Sequence, residues 1–93
     1  KLYLVYTRRA ENNDHIFRHR APLWIAEFDT KRHVLIKDTE IALTPVRGAR
    51  CGNFGVTEIS ENRALVVTTE WMQPVGCEKY GADNSVFIVD ISV

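Results

Sequence analysis

Short apolar runs alternate along the chain with polar, turn-forming clusters. No window keeps the i, i+3, i+4 spacing long enough to predict a helix. Six segments rich in Val, Ile, Tyr, Phe, Trp and Thr read as strands: residues 2–7, 23–29, 33–41, 54–60, 64–71 and 86–93. Two connections, Asp29-Thr30-Lys31-Arg32 and Ser60-Glu61-Asn62-Arg63, are tight, polar and suited to hairpins. The other three, residues 8–22, 42–53 and 72–85, are long. The pattern predicts an all-β chain of consecutive antiparallel strands.

Two of the strands recur. Leu23-Trp24-Ile25-Ala26-Glu27-Phe28-Asp29 aligns with Val86-Phe87-Ile88-Val89-Asp90-Ile91-Ser92 at an offset of 63. Leu4-Val5-Tyr6-Thr7 aligns with Val66-Val67-Thr68-Thr69 at an offset of 62. Agreeing offsets point to a repeated supersecondary unit; chance matches among β-forming residues are the alternative. With the repeated strands labelled B and C, the chain runs B-C-D-A-B-C. Each unit is then an antiparallel four-stranded blade of the β-propeller kind, the first lacking A and the last lacking D. The expected organisation is one fragment of a propeller domain, with residues 1–43 in its first part and 44–93 in its second. Two incomplete blades expose apolar faces and open edges. The expected partners are therefore the remaining blades of a parent chain, or other copies joined through open edges. Alternate connections emerge at the same edge of such a sheet, which puts the three long loops on one face and both short turns on the other. Long loops held by a rigid sheet are where function concentrates.

Composition narrows the ligands. The 93 residues are 45% hydrophobic, and Lys+Arg balances Asp+Glu at 12 each. A neutral chain has no general attraction to nucleic acid or to an anionic membrane, and neither is an expected partner. No stretch approaches the roughly 18 apolar residues of a membrane span. The opening KLYLVY is too short for a signal peptide and reads as a strand from its first residue, so the natural chain is expected to begin earlier. Charge is instead local: six of the eight arginines (Arg8, Arg9, Arg18, Arg20, Arg47, Arg50) and two of the three histidines (His15, His19) lie in the long loops. Cys51 and Cys77 also fall there, and one bridge or two free thiols both fit.

Several runs carry a resemblance. Tyr6-Thr7-Arg8-Arg9, then Asn13-Asp14-His15-Ile16-Phe17-Arg18-His19-Arg20-Ala21-Pro22-Leu23, resemble the sialidase-like proteins described as BNR-repeat or exo-sialidase-like. So do Gly52-Asn53-Phe54-Gly55-Val56 and Glu70-Trp71-Met72-Gln73-Pro74. The resemblance spans nearly the whole chain and points to a C-terminal portion. It implies a β-propeller acting on glycans as a glycoside hydrolase or, as in related propellers, a lyase of uronate-containing polysaccharides, in a secreted or periplasmic setting. The Asp-box pattern Ser-x-Asp-x-Gly-x-Thr-Trp is absent, its nearest counterpart being Ser60-Glu61-Asn62-Arg63. The family's arginine trio, Tyr–Glu nucleophile pair and Asp acid are not assigned to positions here. The resemblance thus implies the fold and an acidic oligosaccharide or polysaccharide more than it implies sialic acid. A non-catalytic carbohydrate-binding or structural propeller segment is the alternative.

The candidate residues follow from this chemistry. Arg8 and Arg9 leave strand B on the long-loop face, where a guanidinium fork matches a carboxylate; a salt bridge to Glu11 or Asp14 is the plainer role. His15 and His19, with Arg18 and Arg20 beside them, suit general acid–base work. A base that removes the proton next to a uronate carboxylate needs a nearby cation to stabilise the developing charge. The plainer role is a packed imidazole bonded to a carbonyl. A metal would need a third ligand, so no metal or cofactor is expected. His33, at a short turn, reads as a surface residue. Asn53 offers a donor and an acceptor to sugar hydroxyls, or marks a bulge or a left-handed corner. Glu70 is an acid, a base or an arginine's partner, with Asp83 the other carboxylate that a glycosidase pair would need. Trp71 is a sugar-stacking platform or core. The candidates are therefore His15, His19 and Glu70 for catalysis, and Arg8, Arg9, Arg20, Asn53 and Trp71 for substrate binding.

Overall fold

The β-forming runs become strands in the computed structural model, which describes residues 1–93. They are β1 (Leu2–Tyr6), β2 (Trp24–Asp29), β3 (Val34–Leu35), β4 (Ile41–Ala42), β5 (Arg50–Cys51), β6 (Gly55–Ser60), β7 (Arg63–Trp71) and β8 (Val86–Ser92). There is no α-helix, only 3-10 turns at Phe17–His19, Lys37–Thr39 and Cys77–Tyr80. No helix is long and apolar enough to cross a membrane. All pairing is antiparallel, in two sheets. In the first, β2 is central, with β1 on one side and β3 and β4 in succession on the other. In the second, β7 is central, flanked by β8 and by β5 followed by β6.

The expected strand over residues 33–41 is corrected to two short pieces. Between them Lys37-Asp38-Thr39 leaves the ladder, because the Thr39 hydroxyl takes over the ladder's bonds. Thr39 Oγ1 accepts from the Glu27 amide at 2.9 Å and donates to the Ile36 carbonyl at 2.6 Å. Threonine competes with backbone partners in this way. A second irregularity lies where β5 meets β6. Cys51 faces Glu70 and Gly55 faces Val67, so residues 52–54 oppose only Thr68 and Thr69 in a bulge. Gly52 fits there because a Cβ would stand 3.0 Å from Thr69 Oγ1.

The two ladders repeat each other. Val5 pairs with Ile25 and Leu4 with Ala26; at offsets of 62 and 63, Val67 pairs with Ile88 and Val66 with Val89. The sheets pack face to face. Leu23, Val66 and Cys51 form the buried centre with Ile16 and Ala21, joined by Val5, Phe54, Val89 and Ile91. This core sits at the end where the long loops emerge. At the short-turn end the sheets splay, leaving a cleft of about 570 Å³ lined by Tyr3, Val5, Ile25, Val56 and Ile91 among others.

Candidate anion-binding site

The three long loops meet on one face. Arg20 of the first donates to Asn53 Oδ1 of the second at 3.3 Å. Arg47 of the second donates to Glu70 Oε1 at 3.1 Å and also to Asp83 of the third. The His15 ring of the first lies 4.7 Å from that of Tyr80 in the third. The first loop is closed at its neck by fully buried Asn13. Its amide donates to the Arg8 and Ala21 carbonyls at 2.9 and 3.0 Å, and its Oδ1 accepts from the Ala10 amide at 2.7 Å. Beyond this staple the turn Phe17–His19 carries two consecutive left-handed residues, Arg18 at φ 55° and His19 at φ 57°. Such backbone is costly for side chains with a Cβ, and it persists only where surrounding structure holds it.

Arg50 occupies the centre of this corner. It sits in β5 opposite Trp71 and is only 5% exposed. Its guanidinium carbon lies 3.7 Å from the Trp71 ring centre and 4.9 Å from that of Phe17. Its Nε is buried without a hydrogen-bond partner, and no carboxylate is paired with it. Its neighbours Arg18 and Arg20 also make no salt bridge, although Arg18 lies over Phe17, 5.4 Å from the ring centre. Burial, and then the charges of Arg20 and Arg18, push the Arg50 pKa down. Cation–π contact offsets part of the cost of burying an unpaired charge, but three like charges remain uncompensated. Three guanidinium groups without carboxylate partners thus gather at this corner, an arrangement suited to an anion.

The other sequence candidates are engaged differently. Arg8 lies on the outer side of the first sheet, 4.3 Å over the Trp24 ring, with its Nε donating to Glu40 at 2.9 Å. Glu40 also accepts from the Tyr6 hydroxyl. Arg9 bonds Asp14 at 2.9 Å, one of the two partners the sequence offered, and His19 Nε2 stands 3.5 Å from the same carboxylate. Glu70 is 3% exposed at its side chain, and its Oε1 accepts from Arg47 and from the Asp83 and Ser85 amides at 3.0–3.1 Å. It pins the 83–85 segment to β7. Asp83 is held below its ordinary range by the Ser85 hydroxyl and by Arg47. His15 packs on Tyr80, and Asn53 is exposed with ordinary φ within the bulge. His33 is exposed in the short β2–β3 turn. Trp71 is half-exposed, with Arg50 on its ring. Cys51 and Cys77 are both free and buried, and burial pushes both thiols up.

Of the sequence candidates, the structure therefore gathers Arg20, Asn53 and Trp71 around one point. Arg8, Arg9 and Glu70 are held apart from it by carboxylate or guanidinium partners of their own. Arg50 and Phe17, which centre and flank the site, were not among the candidates. The sequence signal for Arg50 was its place in a cation-rich loop next to a buried-type residue, Cys51. Comparison with protein-family models, with characterised proteins and with solved structures finds no match for the chain.

Proposed function

We propose that the chain is a portion of a sialidase-like β-propeller whose loop face holds the acid group of an acidic oligosaccharide or polysaccharide. Arg50 carries this reading: a buried guanidinium 3.7 Å from the Trp71 ring centre and 4.9 Å from that of Phe17, with Arg18 and Arg20 beside it and no carboxylate partner. A guanidinium held in a fixed plane presents its donors in the fork geometry that a carboxylate accepts. The half-exposed indole of Trp71 supplies an apolar flank for a sugar ring. Support for the propeller comes from antiparallel sheets in B-C-D and A-B-C order with matched registers. A secreted or periplasmic setting belongs to the same reading.

Joined to the remaining blades of a parent chain, the site would work as a glycoside hydrolase or a uronate lyase. His19 lies between Arg18 and Arg20 in the chain, with Asp14 3.5 Å from its Nε2. As base in a lyase it takes the proton next to the uronate carboxylate, the freed electron pair becomes a carbon–carbon double bond as the bond to the leaving oxygen breaks, that oxygen takes a proton from water, and the arginines stabilise the charge that develops on the carboxylate. Recognition without cleavage is the second reading, favoured by Glu70, whose carboxylate is sealed from substrate by three donors.

Titration calorimetry with uronate- and sialate-containing oligosaccharides, against neutral ones of equal length, tests the proposal. The wild-type chain is expected to bind the acidic sugars, more weakly as salt rises. Arg50→Met is expected to lose roughly tenfold or more in affinity, as removal of a charge-assisted hydrogen bond does, and Arg50→Lys to restore little. Equal affinity for neutral sugars, or full binding by Arg50→Met, overturns it. An unsaturated uronate product assigns a lyase, new reducing ends assign a hydrolase, and binding without either assigns recognition alone.

A further inference from the structure

The repeat makes a statement about surfaces that the chain's own packing turns into a docking partner. The face of the first sheet that packs against the second carries Val5, Leu23 and Ile25. At offsets of 62 and 63 these positions correspond to Val67, Val86 and Ile88. Those three lie together on the opposite, outward face of the second sheet, since Val67 pairs with Ile88 and Val86 follows along the same side of β8. Burial differs sharply between equivalents. Leu23 is 0% exposed and Val86 59%; Ile25 is 9% exposed and Ile88 68%. The second sheet thus displays to solvent the same face that the first sheet buries.

On the other side the reversal is carried by one pair, Val66 at 0% exposure and Leu4 at 39%. The inward face of the second sheet carries Val66, Val89 and Ile91, equivalent to Leu4, Ala26 and Phe28 on the outward face of the first. Leu4 is exposed there, beside Leu2 and Leu35, while Ala26 is buried among its neighbours and Arg8 covers Trp24 toward the loop end. The molecule therefore ends in two unlike apolar faces, each equivalent to one half of the interface already formed inside it.

We infer that the outward face of the second sheet docks the outward face of the first sheet of another copy, head to tail, reproducing between molecules the packing found within one. Such a contact is heterologous. Repetition closes into a ring if twice the rotation between sheets divides a full turn without translation, and otherwise grows as a filament. Every copy then presents its loop face to the same side, because copies are related by the sheet-to-sheet operation applied twice. The contact rests on the sheets alone and needs no ligand.

Sedimentation velocity over micromolar to millimolar concentrations, without any sugar, tests it. The wild-type chain is expected to associate. Ile88→Lys and Leu4→Lys each spoil one face and leave the other intact, so each alone is expected to be a monomer. Their equimolar mixture is expected to form a dimer and nothing larger, because only the intact second-sheet face of one and the intact first-sheet face of the other can meet. Circular dichroism checks that both fold; Val86→Lys and Leu2→Lys, on the same faces, replace either that does not. A wild-type chain that stays monomeric, a mixture that stays monomeric, or a Leu4→Lys chain that associates with itself overturns the inference. The first outcome would leave these faces to something other than a second copy. None of the three bears on sugar binding by Arg50.

Discussion

What stands opposite its guanidinium decides the role of each arginine. Arg63 has Asp90, Arg9 has Asp14, Arg47 has Glu70 and Asp83, and Arg8 has Glu40. Arg18, Arg20 and Arg50 have no carboxylate, nor has Arg32, which stands alone in the short β2–β3 turn. The sequence puts these arginines in long loops or short turns, but it does not sort them by partner. Glu40 lies 32 residues from Arg8 and reaches it only because β4 returns along β2. The Tyr6–Glu40–Arg8 cluster gives a testable pH dependence. Arg8, and then the Tyr6 hydroxyl, lower Glu40 from 4.5 to about 2, while burial and then Glu40 push Tyr6 from 10.0 up to about 12. A depressed carboxylate adds stability that is complete above its unfolded value and drains away as pH falls from about 4.5 toward 2. A raised phenol adds stability that is complete below 10.0 and is lost as pH rises toward 12. Glu40→Ala is expected to cost roughly 1–3 kcal/mol near neutrality, as removal of one partner from a hydrogen-bonded cluster does. It should also flatten both legs of the urea-denaturation profile between these limits. Legs of unchanged slope would mean that other groups set them.

Among the elements, strands were the most legible, because β-forming runs and turn residues agree along β1, β2, β7 and β8, and alternate burial joins them in β8 and the second half of β7. What the pattern missed are the places where a side chain replaces a backbone partner. Thr39 interrupts the strand expected over residues 33–41, and Asn13 folds the first loop onto itself. Neither is encoded by apolar spacing. The Phe17–His19 turn was hidden for the same reason, since left-handed backbone at two residues other than glycine follows from what surrounds them. That turn brings Phe17 and Arg18 to Arg50 and stores strain at the proposed site. Arg18→Gly removes the steric part of that strain. It is expected to leave the unfolding free energy unchanged or raise it, by on the order of 1 kcal/mol, while weakening acidic-sugar binding. A clear loss of stability, read as a lower urea midpoint, would show that Arg18 is held by packing and that the left-handed turn costs little.

At the scale of the whole molecule, the radius of gyration of 13.8 Å exceeds the roughly 12 Å typical of a chain this long, and the excess has a direction. The sheets are joined at the loop end by Leu23, Cys51 and Val66 and splay at the short-turn end around the cleft. Core and candidate site therefore share one end, and the site inherits the more rigid part of the fold. Two valines facing each other across the β6–β7 ladder compare core with cleft in identical chemistry: Val66 on the central strand is fully buried, while Val56 on the edge strand lines the cleft and is half-exposed. Val66→Ala removes two methyl groups from a packed core and is expected to cost roughly 2–3 kcal/mol, counting about 0.8 kcal/mol per group and the cavity left behind. Val56→Ala is expected to cost under about 1 kcal/mol, since its contacts are already partly with water. Hydrogen exchange should grade the same way, with slow amides at Cys51 and Thr68 and fast ones near Glu58 and Asn62. Association through the outward faces leaves this order intact, because the splayed end is inside each copy. If the two valine substitutions cost the same, the cleft is closed in solution; if the exchange gradient is absent as well, rigidity is no longer concentrated where the loops gather Arg50, Trp71 and their neighbours.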